Sequence, residues 1–356
     1  MSPDVELAIT GVGAVSAVGR SALQTSASVR AGLNRFKAHP YHYSLVAPPH
    51  LDDPEPLTCA PVPFLDPLDR EPDRLLNMAL AALDDLFQGI GLSRADLDEA
   101  GLYVALGAGV ERAPDWDPGT HFLPELFRRA ALKPFPHSTV QPSGPTGFVR
   151  GLSWARKILG YPGCRVAVGG GVDTFLDEKA VQRLDAEYRL KSARNRDGFI
   201  PGEGAAFLVL ETRDSARARG ATVLGTLGAE SLGREEQPFT GDRNSSGSGL
   251  TAAIRDTLAR SERTPGWGIC DLNGESYRGY ERGLVQVRLG ETLGEGFSIW
   301  HPADCFGDVG AASGPLHALL ACHAFQRGWA PSPECLVFTG EDGGERASFL
   351  VRAETR

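Results

Sequence analysis

Residues 143–147 (Ser-Gly-Pro-Thr-Gly) have the composition of a loop that opens into a helix. Gly144 and Pro145 suit the cap and the first position of such a helix. A thiol at this point would face unpaired backbone N–H groups and the positive end of the helix dipole, which lower its pKa and favour the thiolate. Pro145 supplies no nucleophile and has no N–H group to offer an oxyanion. The segment therefore has the layout of a catalytic helix start without a reactive group.

A cysteine, two histidines and a glycine-rich segment elsewhere in the chain are weaker candidates for a catalytic or binding role. Cys305 follows Asp304, but no histidine stands at a readable spacing to activate it, so a buried thiol is the favoured interpretation. His317 and His323 lie on a predicted amphipathic helix without other metal ligands, which is typical of histidines on a helix surface or in packing. Residues 241–249, rich in glycine and serine, suit either a phosphate-binding loop or a solvated loop before a helix.

Composition limits the class of protein. The chain has 356 residues, of which 42% are hydrophobic, a formal net charge of −9 and six cysteines without CxxC pairs. The cysteine pattern predicts reduced core thiols in a cytoplasmic protein. The negative charge argues against a nucleic-acid surface. No apolar run approaches the roughly 20 residues of a membrane span, and no signal segment is evident, so we expect no membrane association.

Strand and helix patterns alternate along the chain, which favours an α/β fold with buried sheets between helices. The segments 37–73 and 111–136 look irregular, and the glycine-containing segments 10–19 and 169–171 look like loops that follow short strands. The predicted strands are 6–9, 103–106, 165–168, 207–210, 223–227, one ending near 271, and 348–351. The predicted helices are 72–88, one after Pro145, 212–219, 250–260 and 316–327.

Several segments together resemble one enzyme family. They are 9–15 (Ile-Thr-Gly-Val-Gly-Ala-Val), 151–173, 196–206 (Arg-Asp-Gly-Phe-Ile-Pro-Gly-Glu-Gly-Ala-Ala), 310–314 (Gly-Ala-Ala-Ser-Gly) and 343–347 (Gly-Gly-Glu-Arg-Ala). The chain resembles the β-ketoacyl synthases of fatty-acid and polyketide assembly, which belong to the thiolase-fold superfamily. The resemblance covers nearly the whole chain, and the 196–206 segment is its most specific part.

The resemblance implies an architecture and a reaction. The implied fold is α/β, with duplicated βαβαβαββ halves in an α-β-α-β-α arrangement of layers, here residues 1–220 and 221–356, usually as a dimer. The implied reaction is a decarboxylating Claisen condensation on a cysteine, with two histidines that promote decarboxylation and stabilise charge. It implies no cofactor and no metal ion.

The catalytic groups of the family do not carry over to this chain. Alignment from the 151–172 match places the cysteine at Pro145. The family's first histidine corresponds to Asn273. Its second histidine lies three residues before Gly310 and corresponds to Gly307; His301 could take that place only if the alignment shifted locally. The expected residues of the pocket and substrate channel are also altered or atypical. Glu275 and Tyr277 stand in place of the family's two threonines, and Asp342 stands in place of its gating phenylalanine. Thr146 and Gly343 are the other residues expected in the channel.

Polar residues in the matching segments could form a replacement site. Asp271, Asn273, Glu275, Asp304 and Asp308 all belong to segments expected to converge on the pocket. Clustered carboxylates can divide acid and base roles or hold a metal ion. The favoured interpretation is instead that they cap turns and pair with arginines such as those at 278 and 346, because acids beside glycines are typical of turns.

Two classes of function follow from the resemblance. The first is a non-condensing partner or specificity subunit, similar to chain-length factors, in a homodimer or in a heterodimer with an active ketosynthase, with an acyl carrier protein as a further partner. The second is an acyltransferase-like enzyme that uses the acidic cluster in the old pocket. An acyl- or metabolite-binding homodimer is a third, minor alternative.

Overall fold

The structure is a computed structural model that describes residues 6–44, 55–88, 90–92, 94–108, 117–192, 195–241 and 243–354. Its strands are β1 (Leu7–Ser16), β2 (Lys37–Ser44), β3 (Glu55–Cys59), β4 (Gly101–Leu106), β5 (Thr139–Pro142), β6 (Ala167–Thr174), β7 (Glu203–Glu211), β8 (Gly225–Arg234), β9 (Trp267–Cys270), β10 (Ser298–Trp300), β11 (Glu334–Gly340) and β12 (Glu345–Arg352). Its α-helices are α1 (Ala22–Arg30), α2 (Asp73–Phe87), α3 (Arg94–Asp98), α4 (Pro118–Arg129), α5 (Gly147–Ile158), α6 (Glu178–Ala186), α7 (Arg213–Ala218), α8 (Ser248–Leu258), α9 (Ser276–Leu293), α10 (Ala303–Phe306) and α11 (Ser313–Arg327).

Ten of the described strands form one mixed sheet in the order β10-β9-β11-β12-β8-β1-β7-β6-β4-β5. The strands on one side of the β1–β8 pair come from the first part of the chain, and those on the other side come from the last part. Residues 7–9 of β1 pair antiparallel with residues 225–227 of β8 and join the two sides. The predicted boundary between the two halves, after residue 220, lies shortly before β8. That residues 1–220 and 221–356 are separate domains stays a prediction.

Buried apolar clusters arrange the helices in layers around the strands. Helices α5 and α11 both contact strands from each side of the sheet, so they form the central layer. Helix α2 packs on the outer face of the first side, and α8 with α9 covers the outer face of the second side. The result is the predicted α-β-α-β-α arrangement, and the predicted fold class is confirmed.

The helices that hold this arrangement follow their apolar patterns. Helix α2 buries Leu75, Leu76, Ala79 and Leu83 on one stripe, close to the predicted range 72–88. Helix α5 similarly buries Phe148, Leu152 and Ala155, as its spacing predicts. These faces lie against β6 and β7, whose residues are buried along their whole length.

Two glycine-containing segments predicted as loops are strand instead. Strand β1 runs through Gly13, and β6 runs through Gly171. A Cβ atom at Gly13 would lie 2.3 Å from the carbonyl oxygen of Ala82 in α2, and one at Gly171 would lie 2.1 Å from that of Ala311. These glycines therefore permit close packing on the sheet, a role that the sequence alone does not distinguish from a turn.

Two segments predicted as irregular contain regular structure. The 37–73 segment includes the β2–β3 hairpin, and the 111–136 segment includes α4; residues 45–54 and 111–116 lie outside the described part. Pro124, inside the helix, lowers the helix propensity of α4, but burial of Phe122 and Leu126 stabilises it. The long helix α9 had no sequence prediction, because its buried stripe is one residue wide (Glu281, Val285, Leu289, Leu293) and glycines interrupt it.

None of the helices in the described ranges has both the length and the apolar character that crossing a membrane requires. All six cysteines are buried and unbonded to one another.

Candidate functional site

A narrow cleft opens at the start of α5, where strands β4 and β6, helices α6 and α9 and the turn after β11 meet. Its volume is about 60 Å³, well below the roughly 300 Å³ at which ligand pockets begin. The residues that line it are mostly polar or charged: Gly107, Ala108, Gly144, Pro145, Asp173, Thr174, Phe175, Asp177, Lys179, Ala180, Arg183, Arg189, Phe199, Arg278, Asp308, Glu341 and Asp342.

The helix start at the cleft differs by one residue from its prediction. A 3-10 turn (Gly144–Thr146) precedes α5, and Ser143 rather than Gly144 is its cap. Gly144 has φ of 57°, a left-handed conformation that favours glycine. The carbonyl oxygen of Pro145 accepts a hydrogen bond from the hydroxyl of Thr339 at 2.9 Å. Pro145 therefore lies on the cleft wall, held by the end of β11.

Thr146, the predicted channel residue beside Pro145, faces away from this wall. Its side chain is 1% exposed, and its hydroxyl donates a hydrogen bond of 2.6 Å to Glu345. Gly343, another predicted channel residue, donates its N–H to the Glu341 carboxylate at 2.5 Å. Both residues stabilise the turn that bounds the cleft.

Asn273 and Asp308 meet at the inner side of the cleft. The Asn273 side-chain amide donates a hydrogen bond of 2.7 Å to the Asp308 carboxylate and one of 3.1 Å to the Glu275 carboxylate. The second oxygen of Asp308 accepts the N–H of Gly310 at 2.9 Å. Asp308 and Pro145 line the same cleft. Gly307 has φ of 73°, and a Cβ atom there would lie 2.7 Å from the carbonyl oxygen of Ile200. Of residues 307 and 308, only Asp308 presents a side chain to the cleft.

Two arginines fill the region beside this pair, Arg189, which is buried, and Arg278, which is partly buried. Arg189 binds both oxygens of Glu275 at 2.8 and 2.9 Å and also binds Asp342 at 2.7 Å. Arg278 lies 3.3 Å from Asp271 and 3.1 Å from Asp342. The arginines and carboxylates thus form one continuous ion-pair network, of the kind in which each buried charge needs its partners.

Aromatic rings complete the packing of this network. The Arg189 guanidinium lies 4.1 Å from the ring centre of Phe239 and 5.4 Å from that of Phe199. Phe239 also contacts the ring of Tyr277, whose hydroxyl donates a hydrogen bond of 2.5 Å to the carbonyl oxygen of Gln237. Tyr277, predicted as a channel residue, is therefore fixed beside the network by its ring and its hydroxyl and does not line the cleft.

The network shifts the pKa values of its acids in opposite directions. Burial raises the pKa of Asp271 to about 6, against the effects of Arg278 and the Gly340 N–H. Burial also opposes ionisation of Asp342, but Arg278 and Arg189 hold its pKa below the usual range. Burial raises the pKa of Glu341. Asp342 is accordingly a fixed anion, whereas Asp271 titrates near pH 6.

The structure brings together most of the predicted acidic cluster. Asp271, Asn273, Glu275 and Asp308 lie in one network, and the predicted pairing with Arg278 is confirmed for Asp271 and Glu275. Asp304 is not part of it, since it is exposed and pairs at 2.7 Å with His301 in a different groove. The other predicted arginine, at 346, pairs with the carboxylate at 281 instead. Within the described chain, no three His, Cys, Asp or Glu residues are placed to hold a metal ion.

The structure also resolves the choice left open for the 241–249 loop, of which residue 242 is outside the described part. The Glu235 carboxylate accepts the N–H groups of Ser246 at 2.9 Å and Gly249 at 3.1 Å. The donors that a phosphate would need are therefore already bound to an acid of the chain.

Neither thiols nor the described imidazoles reach the cleft. All six cysteines lie elsewhere, and burial raises the pKa of Cys305 to about 11. His317 is fully buried, with its pKa lowered by burial to about 3, so the prediction of a packing histidine is confirmed. His323, by contrast, is only partly buried. His50 lies outside the described residues.

Sequence reasoning missed Arg189, Phe239 and Glu341. Arg189 comes from a charged stretch with no recognisable motif, and only the excess of acids at 271–275 indicated that a buried cation was needed.

Known structures share this architecture. A type II polyketide acyl-carrier protein complex with its ketosynthase matches with a TM-score of 0.79 and 16% identity, over 99% of this chain and 100% of that chain. The ishigamide ketosynthase/chain length factor matches with a TM-score of 0.75 and 18% identity, over 99% and 100% of the two chains. The protein therefore has the thiolase-like fold of the ketosynthases.

The chain also has relatives among curated protein sequences. The chain is 28% identical over 237 residues to the granaticin polyketide putative β-ketoacyl synthase 1 of Streptomyces violaceoruber, covering 55% of this chain and 56% of that protein. It is 24% identical over 268 residues to 3-oxoacyl-[acyl-carrier-protein] synthase 2 of Vibrio harveyi, covering 63% and 65%. The chain is a homologue of the β-ketoacyl synthases, as its motifs predicted.

These alignments span less than two thirds of the length of the curated relatives. Comparison with profiles of known protein families finds no match.

Proposed function

We propose that this protein is a non-condensing β-ketoacyl synthase homologue that acts as a partner or specificity subunit in polyketide or fatty-acid assembly. The observation that carries the proposal is the cleft at the start of α5. Pro145 stands there where a nucleophile would be needed, and none of the described residues lining the cleft is a cysteine or a histidine.

The first step of condensation needs a thiolate that accepts the acyl group. We take Pro145 to be the counterpart of the family's cysteine, on the basis of the 151–172 match. The amide nitrogen of proline carries no hydrogen and its ring carries no nucleophile, so neither an acyl-enzyme nor an oxyanion contact can form at this residue. The buried cysteines elsewhere in the chain do not replace it.

The groups that would promote decarboxylation are also replaced. We take Asn273 to be the counterpart of the first histidine. The spacing of the motif gives Gly307 for the second, and the orientation of Asp308 toward Asn273 supports Asp308 as the side chain that fills that space. The Asn273 side-chain nitrogen already donates hydrogen bonds to Asp308 and to Glu275, which leaves neither of its N–H groups for an enolate, so the pair is suited to structure rather than catalysis.

The region of the substrate channel is filled by ion pairs. Arg189 bridges Glu275 and Asp342, the residues that we take to replace a channel threonine and the gating phenylalanine. Removing one partner of such a buried pair leaves an uncompensated charge, so the network resists opening. With only about 60 Å³ free, the cleft is too small for a pantetheine arm.

One observation favours the alternative of a new acid–base enzyme, namely the pKa of Asp271, near 6. A general acid or base must also reach its substrate. Asp271 does not line the cleft, and its Oδ2 atom is already bound by the Gly340 N–H at 2.8 Å and by Arg278. The network therefore supports the partner role over this alternative.

We propose an active ketosynthase as the partner, in a heterodimer, with an acyl carrier protein docking on the assembly. The support is the similarity in fold to a ketosynthase/chain length factor and to a ketosynthase in complex with its carrier protein. A homodimer is the alternative assembly. The six unbonded cysteines support a reducing, cytoplasmic location.

The proposal is tested by co-expressing the protein with a ketosynthase encoded beside it. We expect co-purification and a changed product length, and we expect the protein alone to release no CO₂ from malonyl carrier protein. Asp308→Asn and Glu275→Gln provide the control for acid–base chemistry, because they would abolish any activity that depends on those carboxylates. A stable homodimer that ignores the ketosynthase, or an acyl adduct on the isolated protein, would contradict the proposal.

A further inference from the structure

A second concave site lies away from the cleft, between the end of α1, strand β10, helix α10, the middle of α11 and the segment that follows α11. Its volume is about 360 Å³, within the range of pockets that hold small molecules. We call it the tryptophan groove, and the residues that line it include Arg30, Trp300, His301, Asp304, Cys305 and Trp329.

Its main wall is a stack of indole rings. Trp300 and Trp329 lie 5.2 Å apart between ring centres with an interplanar angle of 20°. Trp267, fully buried, packs behind Trp300 at 4.3 Å and fixes that ring. Trp300 and Trp329 themselves remain partly exposed. Because Trp300 stacks on Trp329 and packs on Trp267, the groove meets the exposed part of a rigid aromatic stack. An aromatic ligand that covers this part removes apolar surface from water at little cost in side-chain entropy.

The rim of the groove carries an available positive charge. Arg30, the last residue of α1, places its guanidinium 5.1 Å from the ring centre of Trp329 and forms no ion pair with the described residues. The acid on the rim, Asp304, is already bound by the imidazole of His301 at 2.7 Å. A ligand anion would thus find its partner at Arg30, whose planar fork matches a carboxylate.

From this combination we infer that the tryptophan groove binds a small planar aromatic carboxylate, with its ring on the Trp300–Trp329 wall and its carboxylate on Arg30. The site does not depend on the chemistry of the α5 cleft. It can be present whether or not the protein acts as a partner subunit.

The test is a calorimetric titration of the full chain with 2-naphthoate and with neutral 2-naphthamide, which has the same ring system. We expect saturable binding of naphthoate and about five-fold weaker binding of naphthamide, the effect of one partly exposed charge pair. Arg30→Gln should reduce the affinity for naphthoate to that for naphthamide. Arg217→Gln, at an arginine that is 81% exposed and outside the groove, is the matched control and should bind as wild type does.

A second variant tests the wall, since Trp329→Leu should weaken both ligands to a similar extent. If this variant does not fold, the comparison at Arg30 still decides the question. The inference is wrong if naphthoate gives no saturable heat at millimolar concentration, if naphthamide binds equally well, or if Arg30→Gln binds naphthoate as wild type does.

Discussion

At the scale of single residues, Pro145 and its neighbour Thr146 allow a direct test of cleft access. Pro145 is partly exposed on the cleft wall, whereas Thr146 is 1% exposed. We expect Pro145→Cys to gain one rapidly alkylated thiol with iodoacetamide at neutral pH, because the thiol would face the cleft at a helix start. Wild type should stay unmodified, since its cysteines are buried and burial raises the pKa of Cys305, for example, to about 11.

Thr146→Cys is the matched control for this experiment, because its thiol would be buried next to the Glu345 carboxylate and should not react. Intact-protein mass spectrometry counts the added groups under native conditions. Fast labelling of wild type, or an unreactive Pro145→Cys protein that is folded, would show that the cleft geometry is wrong.

At the scale of secondary-structure elements, glycine has two opposite effects in this fold. Gly171 in β6 admits the backbone of Ala311, and an added Cβ would lie 2.1 Å from that carbonyl oxygen. Gly283 in α9 has open space around its Cβ position. We expect Gly171→Ala to lower the free energy of unfolding by about 1–3 kcal/mol through overpacking, and Gly283→Ala to raise it by about 0.5–1 kcal/mol through helix propensity. Urea denaturation of the two variants measures both effects, and equal midpoints would disprove the packing argument.

The same elements explain how far sequence reasoning reached. Helices α2, α5 and α11 were predictable because each buries a broad apolar face, and the motifs that resemble the β-ketoacyl synthases, above all 196–206, predicted the fold. Helix α9 was missed because its buried stripe is narrow and begins with the charged Glu281. The segments that contain Gly13 and Gly171 were predicted as loops, because the packing of a glycine against a helix distant in sequence leaves no pattern in the neighbouring residues.

The candidate site was only partly predictable for a similar reason. The motifs predicted that Pro145, Asn273 and Asp308 lie near one another, although their spacing gave Gly307 rather than Asp308 for the second histidine. They did not predict the cation that balances Glu275. Arg189 lies 86 positions from Glu275 along the chain, and their pairing depends on the tertiary fold. The separation of Asp304 from the cluster is likewise a result of the direction of helix α10, which turns this residue toward the tryptophan groove.

At the scale of the whole molecule, the network beside the cleft couples protonation to stability. Burial raises the pKa of Asp271 to about 6 in the folded protein, above the ordinary value of an aspartate near 3.9. An acid whose pKa is raised by folding stabilises the folded state when protonated, so this contribution is complete below about pH 4 and is lost as the pH rises through 6. The loss amounts to at most about 3 kcal/mol.

We therefore expect the free energy of unfolding of wild type to fall between pH 4 and pH 6 relative to that of Asp271→Asn, and the difference between the two proteins to be constant above pH 7. Asparagine keeps an oxygen for the Gly340 N–H but does not titrate, so the change in slope isolates the carboxyl group. Asp214→Asn, at an aspartate whose side chain is 96% exposed, is the matched control and should follow wild type. Urea denaturation across this pH range measures the three curves. Parallel curves for wild type and Asp271→Asn would mean that the Asp271 carboxyl is ionised throughout, with Arg278 fully compensating its burial.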